Sequence, residues 1–167
     1  TLFCAGDSVV LQSSSATGNL WFQNDSSTGI ISQNYSVAVT GDYKVVVTNG
    51  SNCSDTSNTI SVTVNPNPIA LITALDTTVF CADDSVALQS SSASGNVWHL
   101  NNSPTGNTNQ NISVTGSGDY TTVVTNASGC SGTSSVITVI VNTYPTATIL
   151  SLDTTLFCAG DSVVLQS

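Results

Sequence analysis

Arginine, glutamate and methionine do not occur in this chain of 167 residues, and lysine and histidine occur once each, as Lys44 and His99. Ten acidic residues, all Asp, leave a formal net charge of −9 and a pI near 4.1. Nucleic-acid binders neutralise phosphates with Lys and Arg. A chain this acidic repels nucleic acid and anionic lipid alike, so neither is an expected partner. Acid–base catalysis draws on His, Lys or a carboxylate of shifted pKa. That supply is nearly empty here, and the reading is of a protein that is not an enzyme and needs no cofactor. No close Cys-x-x-Cys pair occurs and no His accompanies the cysteines, which argues against a metal site. No apolar run reaches the roughly 18 residues of a membrane helix, and no signal peptide pattern is seen. Disorder is equally unsupported, because 40% of the residues are hydrophobic and many are Val or Ile.

What the chain does have is repetition. Thr1–Ser13 reads TLFCAGDSVVLQS and Thr155–Ser167 is the same string, with a diverged copy, TVFCADDSVALQS, at Thr78–Ser90. Cys4, Cys81 and Cys158 recur at an interval of about 77 residues, as do Cys53 and Cys130, Trp21 and Trp98, and Tyr43 and Tyr120. Laid over each other without a gap, the two full copies match at roughly 60% of positions. The expected organisation is a first repeat over residues 1–65, a second over 66–142, and the opening strands of a third over 143–167. The chain starts and stops inside a repeat, which suggests a window on a longer array. His99 is replaced by Phe22 in the first copy and Lys44 by Thr121 in the second, so a catalytic use of either would be confined to one repeat.

Helix signals are missing: there is no 3.6-residue stripe, and Gly or Asn interrupts every few residues. Short β-branched runs between turn clusters predict strands instead. In the second copy these are Ile69–Leu75 continuing into Thr78–Phe80, then Ser85–Ser91, Asn96–Leu100, Asn111–Thr115, Asp119–Thr125 and Ser135–Val141. The first copy gives Ser8–Ser14, Asn19–Gln23, Tyr35–Val39, Asp42–Thr48 and Thr59–Val64. Alternation turns Val9, Leu11 and Ser13 inward and Ser8, Val10 and Gln12 outward. Trp21, Trp98, Tyr43 and Tyr120 are expected in the core. The fold class is all-β, built from tandem β-sandwiches.

The order of these residues carries a resemblance. Cys4-Ala5-Gly6-Asp7-Ser8-Val9-Val10-Leu11, then Trp21, then Gly41-Asp42-Tyr43-Lys44-Val45, then Cys53, resembles an immunoglobulin-like domain. Gly6–Leu11 looks like the entry to strand B, Trp21 like the strand C tryptophan, and Tyr43 like the tyrosine at the start of strand F. More narrowly, the Cys-x-Gly, Trp, Gly-x-Tyr, Asn-Gly-x-x-Cys layout is similar to tandem Ig-like repeats of secreted adhesins and gliding-motility surface proteins of Bacteroidetes. The second copy departs from it at Asp83, which stands where the first has Gly6.

Under that resemblance the cysteines are misplaced for an ordinary Ig bridge. The usual positions, mid-strand B and mid-strand F, hold Ser13 and Val45, with Ser90 and Thr122 in the second copy. Cys4 falls in the turn before strand B and Cys53 in the turn after strand F, at opposite poles of an Ig sandwich. A strand of about seven residues separates the poles by more than ~20 Å, whereas a disulfide needs Cα atoms within about 7 Å. End-to-end stacking implies a Cys4–Cys130 bond between repeats, with Cys81 and Cys158 bonding to following repeats and Cys53 to a preceding one. The alternative is pairing within each repeat, Cys4–Cys53 and Cys81–Cys130, on a non-Ig strand order. Both imply an oxidising compartment.

Asn65-Pro66-Asn67-Pro68 and Asn142-Thr143-Tyr144-Pro145 read as short, stiff linkers. Ser8, Ser85 and Ser162, in Asp-Ser-Val, and Thr77 and Thr154, in Asp-Thr-Thr, resemble the O-glycosylation sites of exported Bacteroidetes proteins. The same residues also serve as ordinary turn formers. Asp83 and Asp84 with Asp76 form the densest carboxylate group, but Gly6 replaces Asp83 in the first copy, so no calcium site is assigned.

Together these readings point to a structural, adhesive extracellular protein that forms a stalk or filament on the cell surface, without catalysis. Its partners would be neighbouring repeats of its own chain, with self-association into a fibre as an extension. The alternative is a carbohydrate- or host-protein-binding Ig-like module. It would use the loops Asp25–Ile31 and Ser103–Asn109, where the copies differ most.

Overall fold

A computed structural model of the chain describes residues 1–152, 155–156 and 158–166. The first sandwich is built from β1 (Leu2–Cys4), β2 (Val9–Gln12), β3 (Asn19–Gln23), β4 (Ser26–Ser27), β5 (Asn34–Val37), β6 (Gly41–Thr48), β7 (Ser54–Thr56) and β8 (Ile60–Asn65). One sheet runs β1-β8-β6-β3-β4 with β7 beside β6, and the other is the pair β2-β5. The second sandwich follows with β9 (Ile72–Ala74), β10 (Val79–Cys81), β11 (Val86–Ser90), β12 (Asn96–Leu100), β13 (Ser103–Pro104), β14 (Asn111–Val114), β15 (Gly118–Thr125), β16 (Ser131–Thr133) and β17 (Ile137–Asn142). Its sheets are β10-β17-β15-β12-β13, with β16 beside β15, and β14-β11-β9. A last antiparallel pair, β18 (Leu150–Ser151) and β19 (Leu165–Gln166), stands alone.

The topology explains how the chain closes each sandwich. β9 lies antiparallel to β11 in one sheet. The chain then crosses over, and β10 lies parallel to β17 in the other. In the first sandwich β1 is parallel to β8 in the same way. In immunoglobulin lettering the sheets of the second sandwich are A-B-E and A′-G-F-C-C′, and those described in the first are B-E and A′-G-F-C-C′. Tyr43 donates its hydroxyl proton to the Val39 carbonyl at 2.8 Å, and Tyr120 to the Gly116 carbonyl at 3.0 Å. That bond, reaching a few residues upstream from the start of strand F, is a tyrosine corner. The fold is an Ig-like β-sandwich.

Each core lies between the two sheets of its own sandwich. Val86, Leu88, Ile112 and Val114 from one sheet meet Trp98, Tyr120 and Val139 from the other. Leu11 and Val37 meet Trp21, Tyr43, Val45 and Val62 in the first sandwich. Each indole N–H finds a carbonyl, Ser32 for Trp21 at 2.9 Å and Asn109 for Trp98 at 2.8 Å, so burial leaves no donor stranded. The alternation read from Ser8–Ser13 holds: Leu11 and Ser13 are buried, Val9 is half-buried, and Ser8, Val10 and Gln12 are exposed.

Three strand readings need correction. Ile69–Leu75 shrinks to Ile72–Ala74, because the Leu71 N–H bonds the Ser91 hydroxyl at 3.0 Å in place of a strand partner. β7 and β16 were not expected; they continue the hairpin after strand F, pairing Thr48 with Ser54 and Thr125 with Ser131. The sequence pattern reads β4 and β13 as loop. Asn24 and Asp25 (φ 47° and 63°), and Asn101 and Asn102 (φ 49° and 66°), turn the chain back in two residues, the geometry of a type I′ hairpin.

Candidate functional site: the joint between the sandwiches

Two turns build this site. In the A–B turn the Asp7 N–H bonds the Cys4 carbonyl at 3.1 Å and Gly6 takes φ 99°, as the third position of a type II turn requires. Asp84 bonds Cys81 in the same way at 3.2 Å, with Asp83 forced to φ 73°. In the F–G turn one asparagine organises the backbone. Asn49 Oδ1 accepts from the Ser51 N–H at 2.9 Å and the Cys53 N–H at 3.0 Å. Asn126 Oδ1 accepts from Ser128 and Cys130, each at 3.0 Å. Cys53 and Cys130 are therefore presented by the same local structure.

Strand pairing places the first turn beside the linker. Cys4 lies opposite Asn65 in the β1–β8 ladder, and the Ala5 N–H donates to the Asn65 carbonyl at 2.8 Å. Asn67 Nδ2 donates back to the Ala5 carbonyl at 3.0 Å. The linker then crosses the F–G turn of the second sandwich, where Asn126 Nδ2 donates to the Pro66 carbonyl at 3.0 Å. A Cβ on Gly132 would lie 2.0 Å from the Pro68 carbonyl oxygen, so only glycine lets the linker pass there. Cys4 and Cys130 are bonded across this joint, with Cα atoms 5.5 Å apart and a sequence separation of 126. Cys130 is 1% exposed.

The in-sandwich pairing is corrected: Cys4 is not joined to Cys53, nor Cys81 to Cys130. β6 runs from Gly41, beside β8 near the Cys4 end, to Thr48 at the Cys53 end, and its eight residues hold the two apart. Cys53, Cys81 and Cys158 are exposed free thiols. Ser8, Thr77, Ser85 and Ser162 are all exposed, and Thr154 lies outside the described residues. Trp21, Trp98, Tyr43 and Tyr120 are buried at 4% exposure or less. Burial holds the Tyr43 hydroxyl above its ordinary pKa, with the Tyr35 hydroxyl adding to the effect. Burial raises Tyr120 alone. Lys44 pairs with Asp25, and its hydrogen bond and charge hold that carboxyl below the usual range. Among the described residues no three His, Cys or Asp side chains gather at one place.

Sequence reasoning found the cysteines but missed Gly132 and the double use of Asn126. The signal for Gly132 was present: Asp55 holds its position in the first copy.

No family model matches the chain, and no curated protein matches it. Among solved structures it is similar to the N-terminal four Ig domains of Dscam1 isoform 9.44, at 13% identity, with 86% of this chain and 42% of that one covered and a TM-score of 0.36. The chain thus spans less than half of that structure. It is also similar to the fibronectin(III)-like modules of Clostridium thermocellum CbhA, at 9% identity, with 85% and 89% covered and a TM-score of 0.39. The amphioxus IgVJ-C2 molecule gives 14% identity, 84% and 99% covered, and a TM-score of 0.35. The assignment of the fold rests on the strand order and the tyrosine corners above.

Proposed function

We propose that this chain is part of an extracellular structural and adhesive array of tandem Ig-like repeats with a period of about 77 residues. It forms a stalk or filament on the cell surface and performs no catalysis. The observation that carries the reading is the Cys4–Cys130 bond, which ties the end of one sandwich to the far turn of the next. A bond of this kind persists in oxidising, extracellular surroundings. It closes a loop of 126 residues, which at roughly 3.3–3.6 Å per residue holds back on the order of 400 Å of extensible chain. A pulled array of such units transmits load through sulfur bonds and linkers, and the strands inside the closed loop, β2 to β15, are shielded from it.

Force spectroscopy on the chain held by its two ends tests this. The oxidised molecule should extend without releasing the closed loop, and reduction should add a length on the order of 400 Å. Equal extension before and after reduction would remove the stalk reading.

One observation favours a second reading, a carbohydrate- or host-protein-binding module. The backbones of the loops Asp25–Ile31 and Ser103–Asn109 are held alike, by Thr28 N–H to the Trp21 carbonyl at 2.9 Å and Thr105 N–H to the Trp98 carbonyl at 2.8 Å. The side chains on that shared frame differ, with Ile30 and Ile31 replaced by Asn107 and Thr108. A glycan array on the intact chain, with binding lost when Ile31 is changed to Asp, would favour it.

A further inference from the structure

The slot between the edge of strand E and the end of strand C is filled differently in the two sandwiches. In the first, the Tyr35 ring stands there, its centroid 5.8 Å from that of Trp21 and 5.9 Å from that of Tyr43. Ile30 and Tyr35 both pack on the core. In the second sandwich the same positions hold Asn107 and Ile112, and Gly116 stands in place of Val39. All three exchanges remove side-chain volume at one place, and a pocket of about 370 Å³ opens there.

Its walls are apolar, from Leu100, Ile112, Val114 and Tyr120, and its rim is polar, from Thr105 and Asn107. No charged side chain lines it, so a buried charge would go uncompensated and the ligand it suits is neutral. The Tyr120 hydroxyl is engaged by the Gly116 carbonyl, which leaves the ring as the surface facing a ligand. Asn107 Oδ1 accepts from the Asn109 N–H at 2.9 Å, and among the described residues the Asn107 amide nitrogen has no hydrogen-bond partner. Beside the pocket, β14 pairs with β11 alone among the described residues. Since the Ser90 N–H bonds the Gln110 carbonyl, the pleat turns the N–H and C=O of Ser113 away from β11, across the open edge. The pocket stands clear of the joint. Val39, at the corresponding place in the first sandwich, is 60% exposed although a second sandwich follows it.

We infer that this pocket of the second sandwich binds the ring of a tyrosine carried by an extended segment of a partner protein. The ring takes the place that Tyr35 fills in the first sandwich. Asn107 donates to the phenol oxygen, and the backbone beside the ring pairs with Ser113 at the strand edge. The inference rests on the second reading above and names its ligand. Thr105 and Asn107 belong to the loop Ser103–Asn109, and the partner they select is protein, not carbohydrate.

Amide chemical shifts of the isotope-labelled full chain, titrated with p-cresol and with the peptide acetyl-Ser-Thr-Tyr-Thr-Ser-amide, test it. p-Cresol should shift Ser113 and Gly116 and leave their counterparts in the first sandwich, Ser36 and Val39, unmoved. Its dissociation constant should fall in the millimolar range expected of so small a ligand. The peptide should bind more tightly than p-cresol and weaken about tenfold or more when its Tyr is replaced by Ala. Ile112→Tyr restores the ring of the first sandwich and should abolish both titrations. Asn107→Ile, at a half-buried loop position, should weaken them about tenfold, with thermal melting confirming that each variant is folded. No shift with p-cresol, or equal shifts in both sandwiches, overturns the proposal. p-Cresol bound more tightly than the peptide overturns the partner segment as the source of the ring. A glycan or host protein whose binding survives Ile112→Tyr keeps the second reading and overturns the pocket as its site.

Discussion

The turns carrying Cys53 and Cys130 are nearly the same in sequence and in local hydrogen bonding, yet one is exposed with a free thiol and the other is buried and bonded. Two things separate them. A linker lies against the second turn, and Gly132 makes room for it where the first turn carries Asp55. Local sequence therefore shapes the turn, and the packing of the neighbouring chain decides the fate of its sulfur. The same contrast predicts that the first turn, with Asp55, cannot receive a linker in the way the second does unless the linker shifts.

The comparison can be broken most severely by Cys130→Ser. Chain entropy for a closed loop of 126 residues allows roughly 4–5 kcal/mol, an upper figure. Thermal melting of the oxidised protein should show a large loss for Cys130→Ser and almost none for Cys53→Ser. Gly132→Asp comes next. It copies the first turn onto the second, forces a side chain against the Pro68 carbonyl, and should cost about 1–3 kcal/mol, while Asp55→Gly should leave melting nearly unchanged. Asn126→Asp keeps the acceptor oxygen that organises the turn and removes the donor to Pro66. In urea unfolding it should cost about 1 kcal/mol more than Asn49→Asp, the worth of one hydrogen bond.

The smallest effects concern pH. Tyr43 and Tyr120 have raised pKa values in the folded state. Their contribution is present below the unfolded tyrosine pKa of about 10 and is lost as pH rises through the folded values. Phe at either position should flatten that alkaline fall, read as melting temperature against pH. Asp25 runs the other way: its pKa is lowered, so its pairing with Lys44 is present above the ordinary carboxylate range and fades as pH falls through the folded value. The second sandwich, with Asn102 and Thr121 at those positions, should lack that acid-side response.

Much of this architecture was legible in the chain. The alternation around Leu11 and the paired Trp and Tyr positions predicted both cores, because burial on a pleated strand imposes period two. β7 and β16 were illegible because Ser54–Thr56 and Ser131–Thr133 carry no apolar pattern; they are strands only because the turn before them folds them back onto strand F. The role of Gly132 was hidden for a different reason. It depends on where Pro68 lies in space; the exchange of Asp55 for Gly132 between the copies marks the position but not the neighbour that requires it.

Peptide mapping of the unreduced protein tests the central claim most directly. Cleavage before each of the ten aspartates places every cysteine in a peptide of its own, so each linkage reads as one mass. The account predicts the Cys4 peptide joined to the Cys130 peptide. A Cys4–Cys53 or Cys81–Cys130 linkage would contradict it.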